Sequence, residues 1–226
     1  MAAVAMAVIW IWYKRNQQAK KKIEALRWQL SRDLHDDIGA TLSSISVYSA
    51  VLENRITDEN NRHVVEEIKE KAISTIQNMS DIIWAIQPGS DQVNDFMQRF
   101  QTNALPLLES KNMRFFQKGN TADATLRLSI LQRRNLFLVC KEALNNCIKY
   151  AAASFFSIEL IQTKHELKIT LMDDGIGFDE AHLTRKNGIL NIQHRIQELQ
   201  GLISIKTTPG QGCRMDISIP LAHPAY

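Results

Sequence analysis

Apolar and polar positions follow two different rhythms along this chain, and the change falls near residue 88. From about Arg15 to Arg55 there is no proline and the only glycine is Gly39. Leu34, Ile38, Leu42, Ile45, Leu52 and Ile56 recur there at helical spacing, with Ser49 filling the gap. The polar break Thr57-Asp58-Glu59-Asn60 supplies N-cap chemistry for a second helix, in which Val65, Ile68, Ala72, Ile76, Met79, Ile83 and Ile86 step by three or four. Two long helices joined by a short turn predict an antiparallel hairpin. Each helix has an apolar stripe, and two helices alone cannot cover both. Pairing with a second copy into a four-helix bundle is the economical solution.

Gln87-Pro88-Gly89-Ser90 ends that unit. Beyond it, Val93 to Glu109 reads as a helix that Pro106 kinks or splits, Met113 to Gln117 as a short strand, and Gln132 to Ala153 as a helix. The rhythm then shortens to two, in Phe156, Ile158, Leu160; Leu167, Ile169, Leu171; Ile203, Ile205; and Met215, Ile217, Ile219. The last two segments flank Thr208-Pro209-Gly210-Gln211-Gly212, a hairpin turn. Strands gathered with two or three helices predict an α/β sandwich with helices on one sheet face. The expected fold class is therefore α+β, a helical hairpin followed by an α/β sandwich.

Charge divides the chain in the same spirit. The 226 residues carry 27 Lys+Arg and 24 Asp+Glu, a net charge of +3. Seven basic residues and one acid, Glu24, precede Asp33 and give +6; the other 20 basic and 23 acidic residues give −3. A mildly acidic body argues against a direct nucleic-acid binder. Three cysteines without paired spacing fit a reduced compartment, and neither a disulfide scaffold nor a zinc site. Met1 to Tyr13 has no charged side chain. As a helix it would be only ~20 Å long, against ~30 Å of hydrocarbon. Its positive residues all follow it, Lys14-Arg15 and then Lys20-Lys21-Lys22, the reverse of a secretory signal, with Trp10, Trp12 and Tyr13 at the interface level. We read 1–13 as the inner end of a transmembrane helix whose outer half lies upstream, 14–88 as the hairpin unit and 89–226 as the sandwich. A buried apolar helix would show the same thirteen residues.

Among the residues with chemistry to offer, Glu142, Asn146 and Lys149 lie at i, i+4 and i+7, opposite a stripe of Phe137, Cys140, Leu144, Cys147 and Ala151. An acid, an amide oxygen and a cation on one line can hold Mg2+, a water and a phosphate oxygen. A solvated face would look the same. Asp173-Asp174-Gly175-Ile176-Gly177 follows a strand and makes a sharp turn. Gly175 and Gly177 let backbone approach a flat ring there, and the Asp173 carboxylate can accept a hydrogen bond from an exocyclic amine. Asn187-Gly188-Ile189 opens a further helix, whose first N–H groups suit phosphate oxygens. No G-x-x-x-x-G-K-[ST] occurs, which excludes a P-loop.

Taken together, these segments resemble the Bergerat-type ATP-binding domain shared by histidine kinases, DNA gyrase, Hsp90 and MutL. Glu142-Ala-Leu-Asn-Asn-Cys-Ile-Lys-Tyr150 is similar to its N box and Asp173-Asp-Gly-Ile-Gly177 to its first glycine box. Asn187-Gly-Ile-Leu-Asn-Ile-Gln-His-Arg195 is similar to the second, and Gly210-Gln-Gly212 to the closing turn. Upstream, Ser31-Arg-Asp-Leu-His35-Asp-Asp-Ile-Gly-Ala-Thr-Leu42 resembles the H box of sensor kinases related to DesK and NarX. Met79-Ser-Asp-Ile-Ile-Trp-Ala-Ile-Gln-Pro88 resembles the end of their second bundle helix.

The resemblance implies a homodimeric sensor histidine kinase core at the inner membrane, anchored through the N-terminal helix, with its catalytic part cytoplasmic. In it, 14–88 would dimerise and carry the phosphoacceptor, and 89–226 would bind ATP with Mg2+. It implies that His35 attacks the γ-phosphate while Asp36 orients the other ring nitrogen. Successive helical positions differ by ~100°, so Asp36 must reach around the helix to do so. Asn146 would hold Mg2+ together with Glu142, the upstream acid that joins His35 and Asp36 as a catalytic residue; Lys149 would contact phosphate and Asp173 would specify adenine. Tyr150, Gly175, Gly177, Asn187, Gly188 and Gly212 would shape the nucleotide pocket. The phosphoryl group would then pass to an Asp of a response regulator with a helix-turn-helix output domain. Three positions depart from the pattern: Ala40 where many relatives carry a phosphatase-linked Gln, Lys186 where Gly is common, and Cys213 where Thr is typical. Two alternatives compete. One is a nucleotide-binding dimeric scaffold with little kinase activity, against which His35, Asp36 and Asn146 count. The other is an ATPase of the gyrase or Hsp90 kind, against which the helical hairpin counts.

Overall fold

A computed structural model describes residues 1–89, 91–120, 127–163, 165–179 and 187–221. The chain divides into two compact units, Met1–Gly89 and Ser90–Tyr226.

In the first unit, helix α1 (Ala2–Asp33) runs through a π-helical turn (Leu34–Gly39) into α2 (Ala40–Glu53). The joining residues keep right-handed helical dihedrals, so this is one rod with a widened turn and no break. The predicted cap is in place at α3 (Glu59–Ile86), where the Asp58 carboxylate accepts hydrogen bonds from the Asn60 and Asn61 amides at 2.9 and 3.2 Å. An ion pair between Lys69 and Glu53, half-buried, ties α3 back to the end of α2. Hairpin packing buries Ser49, Ala72, Met79 and Ala85. Part of the predicted apolar stripes stays outside it: Ile38, Ile45, Leu52 and Ile68 keep between 38 and 50 % of their surface exposed.

In the second unit, α4 (Val93–Glu109) leads to strand β1 (Arg114–Asn120), and α5 (Ile130–Asn146) crosses back to β2 (Phe155–Gln162), parallel to β1. Antiparallel β3 (Glu166–Asp173) follows, then α6 (Asn187–Glu198), β4 (Leu202–Thr207) and β5 (Cys213–Pro220). The sheet order is β1-β2-β3-β5-β4. Period-two alternation buries Phe156, Ile158, Leu160, Leu167, Ile169, Leu171, Met215, Ile217 and Ile219 on one face, against Phe96, Phe100, Phe137 and Leu144 of the helices. The opposite face is polar, with Thr170 donating to Asp216 at 2.9 Å and Ser218 to Glu166 at 2.8 Å. The α+β expectation holds in both parts.

Pro106 does not split α4. Its ring lies on the exposed side of the last turn, where the missing N–H deprives one bond only. Leu108, fully buried, holds that turn to the core, and the Ser110 amide donates to Pro106 O at 3.2 Å.

Candidate functional site

The π turn sets the geometry at His35. A π turn closes on the fifth residue, so adjacent positions are separated by a smaller angle than in an α-helix. On this turn the reach that α-helical spacing makes awkward is observed: His35 Nδ1 stands 3.3 Å from Asp36 Oδ1. Both side chains are open to solvent, His35 by 76 %. Gly39 closes the turn, and a Cβ there would meet Met79 Cε at 3.3 Å, so the missing side chain lets α3 pack close below the histidine.

The second unit contains a cavity of about 500 Å3. Its wall includes Glu142, Asn146, Cys147, Tyr150, Asp173, Gly177, Gly188 and Cys213. Glu142 and Asn146 come from the last turn and a half of α5. That helix then widens into a second π turn, Cys147–Ala151, which stops at Ala152 in the left-handed region (φ 48°). The extra residue per turn breaks the i+7 alignment read from the sequence. Lys149 is exposed and is not part of the cavity wall, whereas Tyr150 is.

The two aspartates of the Asp-Asp-Gly turn divide their labour. Asp174 accepts from the Ser154 amide at 2.8 Å, the Ser154 hydroxyl and the Phe155 amide at 3.0 Å, which fastens the start of β2. Burial would raise its pKa, but these donors outweigh it and hold the carboxyl below the usual range. Asp173 faces the cavity instead. Burial pushes its pKa up, with the Gly175 and Cys213 amides partly opposing.

Gly175 packs on Ala151 rather than lining the cavity, and the Ile176 amide donates to Ala151 O at 2.7 Å. Gly177 (φ +60°) and Gly212 (φ +74°) bring the two turns into backbone contact. A Cβ on either would fall 2.2 Å from Thr208 O or 2.1 Å from Asp173 O, so no other residue fits without a shift of backbone. Asn187 opens α6, but its side chain, like all of Lys186, lies outside the described residues. Gly188 lies against Glu142.

Sequence reasoning passed over Cys147, Ile176, Phe178, Ile189 and Met215, all in the cavity wall. Cys147 belongs to a stripe that reads as helix packing, and nothing in its spacing distinguishes a wall from a core. Its thiol is pushed up to about 12, by burial first and then by the nearby Asp173 and Asp174. It is protonated and inert at neutral pH.

The donor set decides what the cavity can hold. Glu142 and Asn146 offer hard oxygen donors at one end, and Asp173 offers an acceptor elsewhere in the wall. Among the described residues no three His, Cys, Asp or Glu side chains gather into a protein-only metal cage. Two oxygens and an open cavity fit Mg2+ completed by phosphate oxygens, the usual manner of that ion.

Comparison with known proteins bears on both units. The family described as "Histidine kinase" matches residues 27–91, and the family described as "Histidine kinase-, DNA gyrase B-, and HSP90-like ATPase" matches residues 132–223. Sensor histidine kinase ComP of Bacillus subtilis is 27 % identical over 219 residues, covering 93 % of this chain and 28 % of its own length. The histidine-protein kinase/phosphatase UhpB of Salmonella typhimurium is 26 % identical, covering 91 % of this chain and 42 % of its own. The chain thus spans less than half the length of these two relatives. Among solved structures, full-length ShkA in complex with AMPPNP superposes with a TM-score of 0.55 at 13 % identity, over 90 % of this chain and 47 % of that one. The histidine kinase domain of the Erythrobacter litoralis EL346 blue-light activated kinase gives 0.51 at 15 %, over 80 % and 94 %. At these identities the structures speak for the fold.

Proposed function

Because this chain belongs to the histidine kinases, of the branch that pairs a DesK/NarX-like helical domain with a gyrase- and Hsp90-like ATPase domain, we propose that it transfers the γ-phosphoryl group of ATP to His35 and then to an aspartate of a response regulator. The observation that carries this reading is the His35–Asp36 pair on an exposed turn. With the Nδ1 proton donated toward Asp36, the lone pair stays on Nε2, the ring nitrogen left as nucleophile. As the bond to phosphorus forms, the ring becomes cationic, and the adjacent carboxylate offsets that charge. Asp36 therefore fixes the tautomer and stabilises the charge.

In the cavity, Asp173 accepts from the exocyclic amine of adenine. Glu142 and Asn146 would hold Mg2+, which supplies charge neutralisation on the β- and γ-phosphates. Asn187 and Gly188 begin α6, whose free N–H groups suit phosphate oxygens. Tyr150, Gly177 and Gly212 bound the pocket. Two copies pair through the exposed Ile38, Ile45, Leu52 and Ile68, and the cytoplasmic catalytic part hangs from the inner membrane by its N-terminal helix. Among the described residues no helix is by itself long and apolar enough to cross a membrane, so the membrane reading rests on the apolar start and its basic flank. A helix-turn-helix output domain on the regulator is part of the same proposal.

Incubating the chain with γ-labelled ATP and Mg2+ tests it. The expected product carries acid-labile, alkali-stable label that disappears in His35→Gln. Bound nucleotide without label would favour a scaffold, and phosphate release without label an ATPase. Label surviving in His35→Gln would overturn the assignment.

A further inference from the structure

The Glu142 carboxylate is not pointing into free space. A Cβ built on Gly188 would stand 2.2 Å from Glu142 Oε1 and 3.4 Å from Asn146 Nδ2. The carboxylate oxygen therefore fills the room that a side chain would take at the second residue of α6. Backbone N–H groups in a first helical turn have no intrahelical acceptor, and the positive end of the helix dipole attracts an anion there. Glu142 and Gly188 both line the cavity, so this contact lies inside it.

Two anions then claim one place. On the proposed function, on which this inference rests, nucleotide phosphates approach the same turn that the Glu142 carboxylate already fills. A bare polyphosphate must expel the carboxylate or lie beside it, and like charges at short range in a walled cavity repel strongly. A divalent cation removes the conflict. It accepts oxygens from the carboxylate and the phosphates together, and turns a repulsion into a shared ligand set. We propose that Glu142 is a specificity-determining residue: it occupies the α6 end of the cavity and excludes metal-free nucleotide while admitting the metal-bound form.

Binding rather than turnover tests this. ADP is titrated into the chain in EDTA and in excess Mg2+, for the natural sequence, Glu142→Gln and Glu142→Asp. Glu142→Gln keeps the shape and removes the charge, so metal-free ADP should bind on the order of tenfold tighter, the size of a helix-end charge effect. The Mg2+-to-EDTA affinity ratio should shrink correspondingly. Glu142→Asp keeps the charge but withdraws it by one methylene from Gly188, and should fall between. Unchanged or weaker metal-free binding in Glu142→Gln overturns the inference while leaving nucleotide binding itself intact. Failure of the natural chain to bind ADP under either condition overturns the nucleotide reading and this inference with it. Amide hydrogen exchange of the nucleotide-free protein checks the contact directly. Faster exchange at residues 188–190 in Glu142→Gln supports the occupied end, and unchanged exchange there overturns it.

Discussion

Adjacent aspartates in one turn show how little a residue's identity says about its work. Asp174 has a full set of donors and Asp173 has a cavity, and their pKa values move in opposite directions for that reason. Opposite consequences follow for substitution. Asp174→Ala removes the bonds to Ser154 and Phe155 and should cost about 2 kcal/mol of stability. Because its folded pKa is depressed, that contribution is fully present above an ordinary carboxylate pKa of ~3.9 and fades as pH falls through the folded value. Thermal melts at falling pH should show the gap to the natural chain closing. Asp173 has a raised folded pKa, so its charge costs stability above that same ordinary value, and the cost fades on acidification. Asp173→Asn should keep or slightly raise the melting temperature while abolishing ADP binding in a titration. Affinity of the natural chain should also fall on acidification at a higher pH than an unperturbed aspartate would allow, since the charged carboxylate accepts from the amine more strongly than the neutral acid. A destabilised Asp173→Asn that still binds ADP would reverse the two roles.

At the scale of elements, what the sequence discloses is what changes the hydrophobic rhythm. The hairpin, the Asp58 cap and the alternating strands β2 to β5 were legible because burial on one face imposes a period of 3.6 or 2. Neither π turn was legible, since one widened turn inside a long helix leaves the stripe on either side intact. Yet the chemistry sits on those turns: His35 and Asp36 meet on one, and along the other Tyr150 lines the cavity while Lys149 does not. The acid–glycine segments could be read as a site because Gly177 and Gly212 have backbone reasons to be glycine. Cys147 and Met215 could not, being ordinary apolar residues by pattern. The same rhythm also exceeds what the hairpin covers. Ile38, Ile45 and Leu52 remain exposed on α1's continuation, and Ile68 on α3. Ile45 has only 38 % of its surface left to cover, worth about 1 kcal/mol in each copy, and an aspartate in its place must also lose its water; a symmetric pair counts both twice. Ile45→Asp should therefore raise the dimer dissociation constant at least a hundredfold in sedimentation equilibrium, with helix content unchanged. A variant that remains dimeric at the same concentrations would place the interface elsewhere.

Across the whole chain, the uneven charge acquires a mechanical meaning from the continuity of α1. The +6 stretch lies on an unbroken helix of 32 residues, Ala2 to Asp33, that enters the His35 turn directly. At ~1.5 Å per residue this is a rod of ~48 Å. Its apolar start and Trp10, over which Lys14 Nζ sits at 5.0 Å, suit a membrane boundary. A rod transmits rotation as well as displacement, and the two are separable by insertion. Four residues added at Ala19 turn everything downstream by about 40°, whereas seven turn it back by only about 20° in the opposite sense. Both lengthen the rod, the seven-residue insertion more. On the proposed function, if rotation carries the signal to His35, its phosphorylation in the protein held at a membrane should change severalfold with four inserted residues and return toward its original level with seven. If displacement carries it, seven should be the worse of the two. Equal phosphorylation in all three proteins would mean that the basic collar only anchors the chain and that α1 passes nothing to the turn it joins.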